Sequence, residues 1–90
     1  MIPADGTAAL RLADRLNLIG RKSDAADLVI DHPSVSKQHC VIFPAGGVLH
    51  IRDLGSTNGT KVNGVSIVHG LLHQGDEVVI GKFKCRVALQ

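Results

Sequence analysis

Apolar and polar residues alternate with a period of two in several short segments of this chain. The segment nearest the C-terminus is the clearest, because every second residue from Phe83 to Leu89 is apolar, whereas Lys82, Lys84 and Arg86 lie on the other face. Successive side chains of a β-strand point to opposite faces. The pattern therefore predicts a strand with one face in the core and a basic face in solvent.

Two further segments predict strands of different kinds. From Leu10 to Leu18 the even positions are apolar except Asp14, which predicts two strands or one bent strand. A helix over residues 7–18 is the alternative, but the alternation and the glycine that follows favour strands. The continuous run His39–Phe43 predicts a strand that is buried on both faces.

Turn residues separate these segments at short intervals. Val and Ile occupy 17 positions and Gly occupies 10, and Asn58–Gly59 and Asn63–Gly64 are dipeptides typical of two-residue hairpin turns. Many short strands with frequent turns predict an all-β sandwich or barrel of about ten strands. A chain of 90 residues holds one hydrophobic core, so a single domain is expected.

Composition narrows the classes of function. The formal net charge is only +2 and the aromatic residues are two Phe, so neither duplex nucleic acid nor stacked single-stranded bases are expected as direct ligands. No apolar stretch reaches the length of about 20 residues that crosses a membrane. The N-terminus lacks the basic region of a signal peptide, which predicts an intracellular protein, cytoplasmic or nuclear.

The reactive side chains are sparse. The acids are seven Asp and one Glu, which leaves little material for a catalytic acid/base pair, and the five His show no metal-ligand spacing. Cys40 and Cys85 form no CxxC pair; one disulfide is conceivable, but reduced thiols are expected inside a cell, with Cys85 in the core. We therefore expect no enzyme, no cofactor and no metal.

Basic and hydroxyl side chains are concentrated in the segments between the predicted strands. Arg21, Ser36 and Lys37 together offer a guanidinium, a hydroxyl and an ammonium group. Such a set suits a tetrahedral phosphate, because charge-assisted hydrogen bonds each contribute about 1.5–3 kcal/mol. A nucleophilic role for Ser36 is disfavoured, since no carboxylate lies near it in sequence.

Three motifs, in this order, resemble the forkhead-associated (FHA) domain. They are Gly20–Arg21, Ser36–Lys37–Gln38–His39 and Asp53–Leu54–Gly55–Ser56–Thr57–Asn58–Gly59–Thr60. Later elements also fit, namely Asn63–Gly64, Gly75–Asp76 and Ile80–Gly81. The resemblance covers residues 18–87.

The resemblance implies an antiparallel β-sandwich of about ten to eleven strands, with loops at one end that bind a phosphothreonine peptide of a kinase substrate. It implies Arg21 and Ser36 as phosphate ligands, Lys37 as an added one, Asn58 on the peptide backbone and Thr57 in the groove. The positions that it implies to be structural are Gly20, His39, Gly59, Asn63 and Gly64. Residues 1–90 would be one such domain, with its core over about 8–89, excised from a larger protein.

Alternatives remain beside this hypothesis. Asn63–Gly64 is read as a hairpin turn, whereas the surrounding motif favours a binding role for Asn58. A phosphorylation-independent assembly domain would use a sheet face or edge, with Leu71, Leu72 and Ile67–Val68 on its surface, and a weak homo-oligomer is compatible with it. A hydrolase acting through Ser36 and His39 is disfavoured. The peptide preference is expected to depend on Ser34, Val35, Lys61 and residues 69–74.

Overall fold

The computed structural model describes residues 8–12, 14–24 and 26–88, and these residues form ten β-strands. In chain order they are β1 Ala8–Arg11, β2 Asn17–Gly20, β3 Leu28–Val29, β4 Cys40–Ala45, β5 Val48–Asp53, β6 Thr60–Val62, β7 Val65–Ile67, β8 His69–Leu72, β9 Glu77–Ile80 and β10 Phe83–Ala88. Within these ranges no helix is long and apolar enough to span a membrane.

The strands form two five-stranded sheets, packed as the predicted sandwich. The front sheet has the order β1-β10-β9-β6-β7, and the back sheet has the order β3-β2-β4-β5-β8. The sheets are mixed and not purely antiparallel, because β1 pairs with β10 and β2 pairs with β3 in parallel. A tight hairpin forces neighbouring strands to be antiparallel, but neither of these two pairs is joined by one.

The alternation of β10 is confirmed by its burial. Cys85 and Val87 are buried, whereas Lys84 and the preceding Lys82 are exposed; Leu89 lies outside the described residues. Between the two sheets, the largest fully buried side chains are mostly β-branched: Ile19, Ile42, Ile51, Ile80, Val35, Val78 and Val87.

The segment from Leu10 to Leu18 forms two strands, as predicted, but they lie in different sheets. Leu10 is buried in β1, whereas in β2 the odd positions Asn17 and Ile19 face the core and Leu16 is 53% exposed. The link between the strands reverses the parity of the pattern, so one continuous alternation does not describe both. Asn17 is buried at low cost because its Nδ2 donates to the carbonyl of Arg15 over 2.7 Å.

Within the run of residues 39–43, the part that forms strand β4 is buried on one face only, contrary to the sequence prediction. Cys40 and Ile42 of β4 are fully buried, whereas Val41 and Phe43 are only partly buried on the outer face of the back sheet. There the Phe43 ring stacks on His50, with ring centroids 5.3 Å apart and an interplanar angle of 9°. A neighbouring side chain covers Phe43 in place of a second layer.

The two Asn-Gly dipeptides adopt different conformations. Asn63 and Gly64 have φ values of 49° and 83°, which makes the β6–β7 connection the predicted two-residue hairpin turn. At the other dipeptide, positive φ is confined to Gly59 at 82°. Asn58 does not adopt the left-handed conformation, so turn geometry does not explain why position 58 is an asparagine.

The directions of the strands determine at which end of the sandwich each connection lies. Segments 30–39 and 54–59 and the turn at residues 81–82 lie at one end, which we call the loop end, and the 21–27 connection starts there at Arg21 before it runs back along β2. The β4–β5, β6–β7 and β8–β9 turns lie at the opposite end.

Candidate functional site

A cleft of about 380 Å³ opens at the loop end of the sandwich. Its walls come from three separate connections, and the residues that line it are Arg21, Pro33, Ser34, Val35, Ser36, Lys37, Thr57 and Asn58. The fold thus brings together all five residues to which a binding role was assigned from the sequence.

The backbone fixes Arg21 beside Ser36. The Arg21 N–H donates to the Ser36 carbonyl over 3.0 Å, and the preceding Gly20 is buried at the end of β2. A Cβ atom on Gly20 would collide with the carbonyl oxygen of Lys37. The two connections approach this closely because residue 20 has no side chain.

The Arg21 side chain carries an unsatisfied donor. Its Nε is buried and makes no hydrogen bond with the described residues. A buried donor with no partner costs about 1–3 kcal/mol and is rare in folded proteins. Arg21 lines the cleft together with Ser36 and Lys37, so an anionic ligand bound there would offer acceptors to its guanidinium group.

His39 braces the loops from below. Its side chain is fully buried; Nδ1 accepts the Ser36 N–H over 3.0 Å, and Nε2 donates to the Gly59 carbonyl over 2.8 Å. These two contacts place the ring proton on Nε2. Both ring nitrogens are therefore engaged by backbone groups, and neither bonds to the Ser36 hydroxyl as a catalytic base would.

Thr57 and Asn58 join the loop of residues 54–59 to the one before β4. The Thr57 N–H donates to Ser36 Oγ over 3.2 Å, and Asn58 Nδ2 donates to the Ser34 carbonyl over 2.8 Å. Asn58 is exposed at the cleft, but its amide nitrogen is already used within the protein. Its amide oxygen makes no such bond to the described loops, so Oδ1 is the part of the Asn58 amide that a peptide could use.

Ser34 connects a further loop, a role that the sequence did not indicate. Its hydroxyl accepts the Lys82 N–H and donates to His32 Nδ1, both over 2.8 Å, and its carbonyl accepts from Asn58. Ser34 and Val35 are buried, with only 9% and 1% of their surfaces exposed. They shape the cleft wall and offer little side-chain surface for peptide recognition. A Ser beside the more obvious Ser36 motif gives no sequence signal for this role.

Asp53 organises the segment that carries Thr57 and Asn58. Its Oδ2 accepts the N–H groups of Gly55 and Ser56, and its Oδ1 accepts the hydroxyls of Ser56 and Thr60. Burial alone would raise the pKa of Asp53, but these hydrogen bonds outweigh burial and lower the pKa below its usual value. The sequence shows Asp53 only as part of a motif, because an Asp at the end of a strand does not indicate that its carboxylate accepts four hydrogen bonds.

Other candidates lie away from the cleft. Asn63–Gly64 is at the opposite end, where Asn63 Nδ2 donates to Asp76 over 3.1 Å. Residues 69–74 are not the loop that the sequence suggested, because His69–Leu72 is strand β8 and the turn after it lies at the opposite end; none of them lines the cleft. Lys61 is on β6, outside the cleft.

The thiols and histidines contribute no reactive site in the described residues. Cys40 and Cys85 are free and buried, and burial, the largest cause, raises the pKa of each to about 12. Thiols with such pKa values are poor nucleophiles. In the same part of the chain, no three His, Cys, Asp or Glu side chains are grouped to hold a metal ion.

Comparisons with known proteins agree on one family. The FHA domain family model matches residues 17–81. The ABC transporter ATP-binding/permease protein Rv1747 of Mycobacterium tuberculosis is 46% identical over 63 residues, which are 70% of this chain and 7% of that protein. The glycogen accumulation regulator GarA of Mycolicibacterium smegmatis is 42% identical over 65 residues, 72% of this chain and 40% of its own length.

A solved structure extends the agreement to the fold. It comes from a structural and functional analysis of phosphothreonine-dependent FHA domain interactions. It is 36% identical with a TM-score of 0.74, and the match covers 81% of this chain and 75% of that one. The chain spans less than half the length of the two relatives named above.

Proposed function

Since the chain belongs to the FHA domain family, we propose that it is a binding module that recognises a phosphothreonine in a partner protein and mediates phosphorylation-dependent association in signalling. Residues 1–90 would constitute one such domain. The partner would be a substrate of a Ser/Thr kinase, and the domain itself would carry out no catalysis.

One observation carries the proposal: the buried Nε of Arg21 has no acceptor within the described residues, in a cleft lined by Ser36 and Lys37. A phosphothreonine brings about −1.5 to −2 charges and three acceptor oxygens. Its phosphate would accept from the Arg21 guanidinium group, from Ser36 Oγ and from Lys37 Nζ. Lysine at position 37 supplies charge without the bidentate geometry of arginine.

Thr57 and Asn58 would contact the peptide beside the phosphate. Both are exposed at the cleft, and their backbone is held by Ser36 and by Asp53 through Ser56. The Asn58 Oδ1 atom would accept a peptide N–H while Nδ2 keeps its bond to the Ser34 carbonyl. Gly20, His39 and Gly59 would hold the loops in place without touching the ligand.

The assembly-domain alternative has less support from the surface. Of the side chains that it needs, Leu72 is buried with 2% exposure, and only Leu71 and Val68 are largely exposed, at 49% and 73%. The phosphothreonine-binding module and the assembly domain differ in whether association depends on phosphate, so an experiment can compare them directly.

The experiment is a calorimetric titration of the domain with a phosphothreonine peptide and with its unphosphorylated and phosphoserine forms. Phosphothreonine binding with a Kd near micromolar, about −8 kcal/mol, is expected, together with no measurable binding of the unphosphorylated peptide. A peptide drawn from a library of sequences around phosphothreonine avoids choosing the wrong context. Equal affinity for the phosphothreonine peptide and its unphosphorylated form would favour the assembly domain. Association that phosphatase treatment leaves unchanged would do the same.

A further inference from the structure

Two exposed lysines lie on the outer face of the front sheet and a third lies in the adjoining β9–β10 turn, and we refer to Lys61, Lys84 and Lys82 as the lysine surface. Lys61 of β6 and Lys84 of β10 both pair in register with Val79 of the intervening strand β9. Neighbouring strands are about 4.8 Å apart, so the backbones of these two lysines are separated by about 10 Å. Their side chains therefore present two charges on the same row of the sheet.

The lysine surface is continuous with the cleft. Lys82 lies in the β9–β10 turn, and its N–H donates to Ser34 Oγ over 2.8 Å. Ser34 in turn lines the cleft and accepts from Asn58 through its carbonyl. A chain leaving the cleft on this side would pass Lys82 first and then the row that contains Lys61 and Lys84.

The charge of this surface is not neutralised within the described part of the chain. The close histidine–carboxylate contacts there are His39 with Asp53 and His73 with Asp76, and neither includes a lysine. On the outer face of the front sheet, the described strands carry one acidic side chain, Glu77. It pairs in register with Arg86 and lies one row away from Lys61 and Lys84. The three ammonium groups therefore remain available to an external anion.

We propose that the lysine surface is an accessory docking site for an acidic segment of the phosphorylated partner, which binds there while its phosphothreonine occupies the cleft. This inference rests on the proposed phosphothreonine recognition and adds a charge preference to it. Charge complementarity and the continuity with the cleft favour a peptide over other polyanions. An extended peptide advances about 3.3 Å per residue, so acidic side chains three to six positions from the phosphothreonine would lie about 10–20 Å from it, which is the range that we assign to contacts with the lysine surface.

The test compares a neutral phosphothreonine peptide with two variants that carry three Asp or Glu residues at those positions, on its N-terminal or its C-terminal side. At low ionic strength one acidic variant is expected to bind roughly three- to tenfold more tightly, since exposed ion pairs are individually weak. The gain should shrink at about 0.5 M salt, where exposed charges are screened.

Matched variants locate the effect. Lys61→Glu combined with Lys84→Glu should abolish the gain and leave the affinity for the neutral phosphopeptide within about twofold. Arg15→Glu combined with Arg52→Glu makes the same change in net charge at exposed positions away from this surface, and it should preserve most of the gain.

Three outcomes would overturn the inference: no gain with either acidic peptide, a gain that survives the lysine variant, or equal loss in both double variants. Binding of single-stranded RNA or of anionic vesicles to the lysine surface, without any gain for the acidic phosphopeptides, would also overturn it. Failure of the proposed function is distinguishable, because the neutral phosphopeptide would then not bind at all. An acidic peptide that binds equally well without its phosphate would contradict both.

Discussion

His39 controls the position of Ser36 through the backbone, because its Nδ1 atom accepts the Ser36 N–H over 3.0 Å. The same ring donates to the Gly59 carbonyl over 2.8 Å, so one buried imidazole sets the separation of the two loops on either side of the cleft. The position of the half-buried Ser36 in the cleft thus depends on a histidine that is fully buried beneath it.

The first prediction concerns this ring. His39→Ala should lower stability before it affects anything else, since each buried backbone group left without a partner costs about 1–3 kcal/mol. For a domain of this size a loss of 1 kcal/mol lowers Tm by about 4–8 °C. Thermal unfolding and phosphopeptide titration of the same sample separate the effects. A variant as stable as the parent but unable to bind would make His39 a direct ligand.

Arg21→Ala should have the opposite profile. The Arg21 backbone N–H keeps its bond to the Ser36 carbonyl, and the deleted Nε has no acceptor in the described structure, so Tm should stay unchanged or rise slightly. Loss of a charge-assisted contact with phosphate costs about 2–3 kcal/mol, which corresponds to at least roughly thirtyfold in Kd. Calorimetry with Lys22→Ala as the control checks this, and unchanged affinity in Arg21→Ala would remove Arg21 from the phosphate site.

The structure changes what Asn58→Gly is expected to do. From the sequence alone this variant should be stable and bind at least roughly tenfold more weakly. Because Asn58 Nδ2 also donates to the Ser34 carbonyl, we now expect a stability loss of about 1 kcal/mol in addition. Unfolding in urea and peptide titration should both respond. Loss of stability with full affinity would limit Asn58 to bracing the loop.

Asp53 makes stability depend on pH. Its pKa is lowered in the folded protein, so the ionised carboxylate stabilises the fold above the unfolded pKa of about 3.9. That stabilisation is lost as the pH falls through the lower folded-state pKa. The Tm of the parent should therefore decrease when the pH is lowered below about 4. Asp53→Asn should be less stable than the parent at pH 7, but its Tm should decrease less on acidification. Asp76, whose pKa is also lowered, lies at the opposite end, and Asp76→Asn is the comparison variant. Equal dependence of Tm on pH in the parent and in Asp53→Asn would contradict the role of Asp53.

Gly20 offers a test of the close approach between connections. Gly20→Ala places a Cβ atom against the Lys37 carbonyl, and overpacking of this kind costs about 1–3 kcal/mol. We expect lower Tm and weaker binding together, because the backbone that carries Arg21 has to move. Gly70→Ala in strand β8, where an added Cβ atom would make only ordinary contacts of 3.5 Å or longer, controls for the loss of glycine. A Gly20→Ala protein that matches the parent in both measurements would contradict the packing role.

The sequence predicted the parts of this molecule that depend on local pattern. Strand β10 and the Asn63–Gly64 turn follow from alternation and turn chemistry, and ordered motifs were enough to identify the cleft residues. Alternation failed across residues 10–18, because it carries no information on which sheet receives each strand. The roles of Ser34 and Asp53 were missed for a related reason: their hydrogen bonds join connections that only the tertiary fold brings together.

The double use of the Gly59 carbonyl has a thermodynamic consequence. This oxygen accepts from His39 Nε2 and also from the Gly81 N–H over 3.0 Å, which connects three chain segments at one atom. The conformational entropy of ordering the cleft is therefore lost during folding and not during association. A preorganised surface of this kind keeps more of its contact energy as affinity and needs little rearrangement on encounter. Affinity and global stability should consequently decline together in any variant that loosens this oxygen's contacts, even when every ligand-contacting side chain is intact.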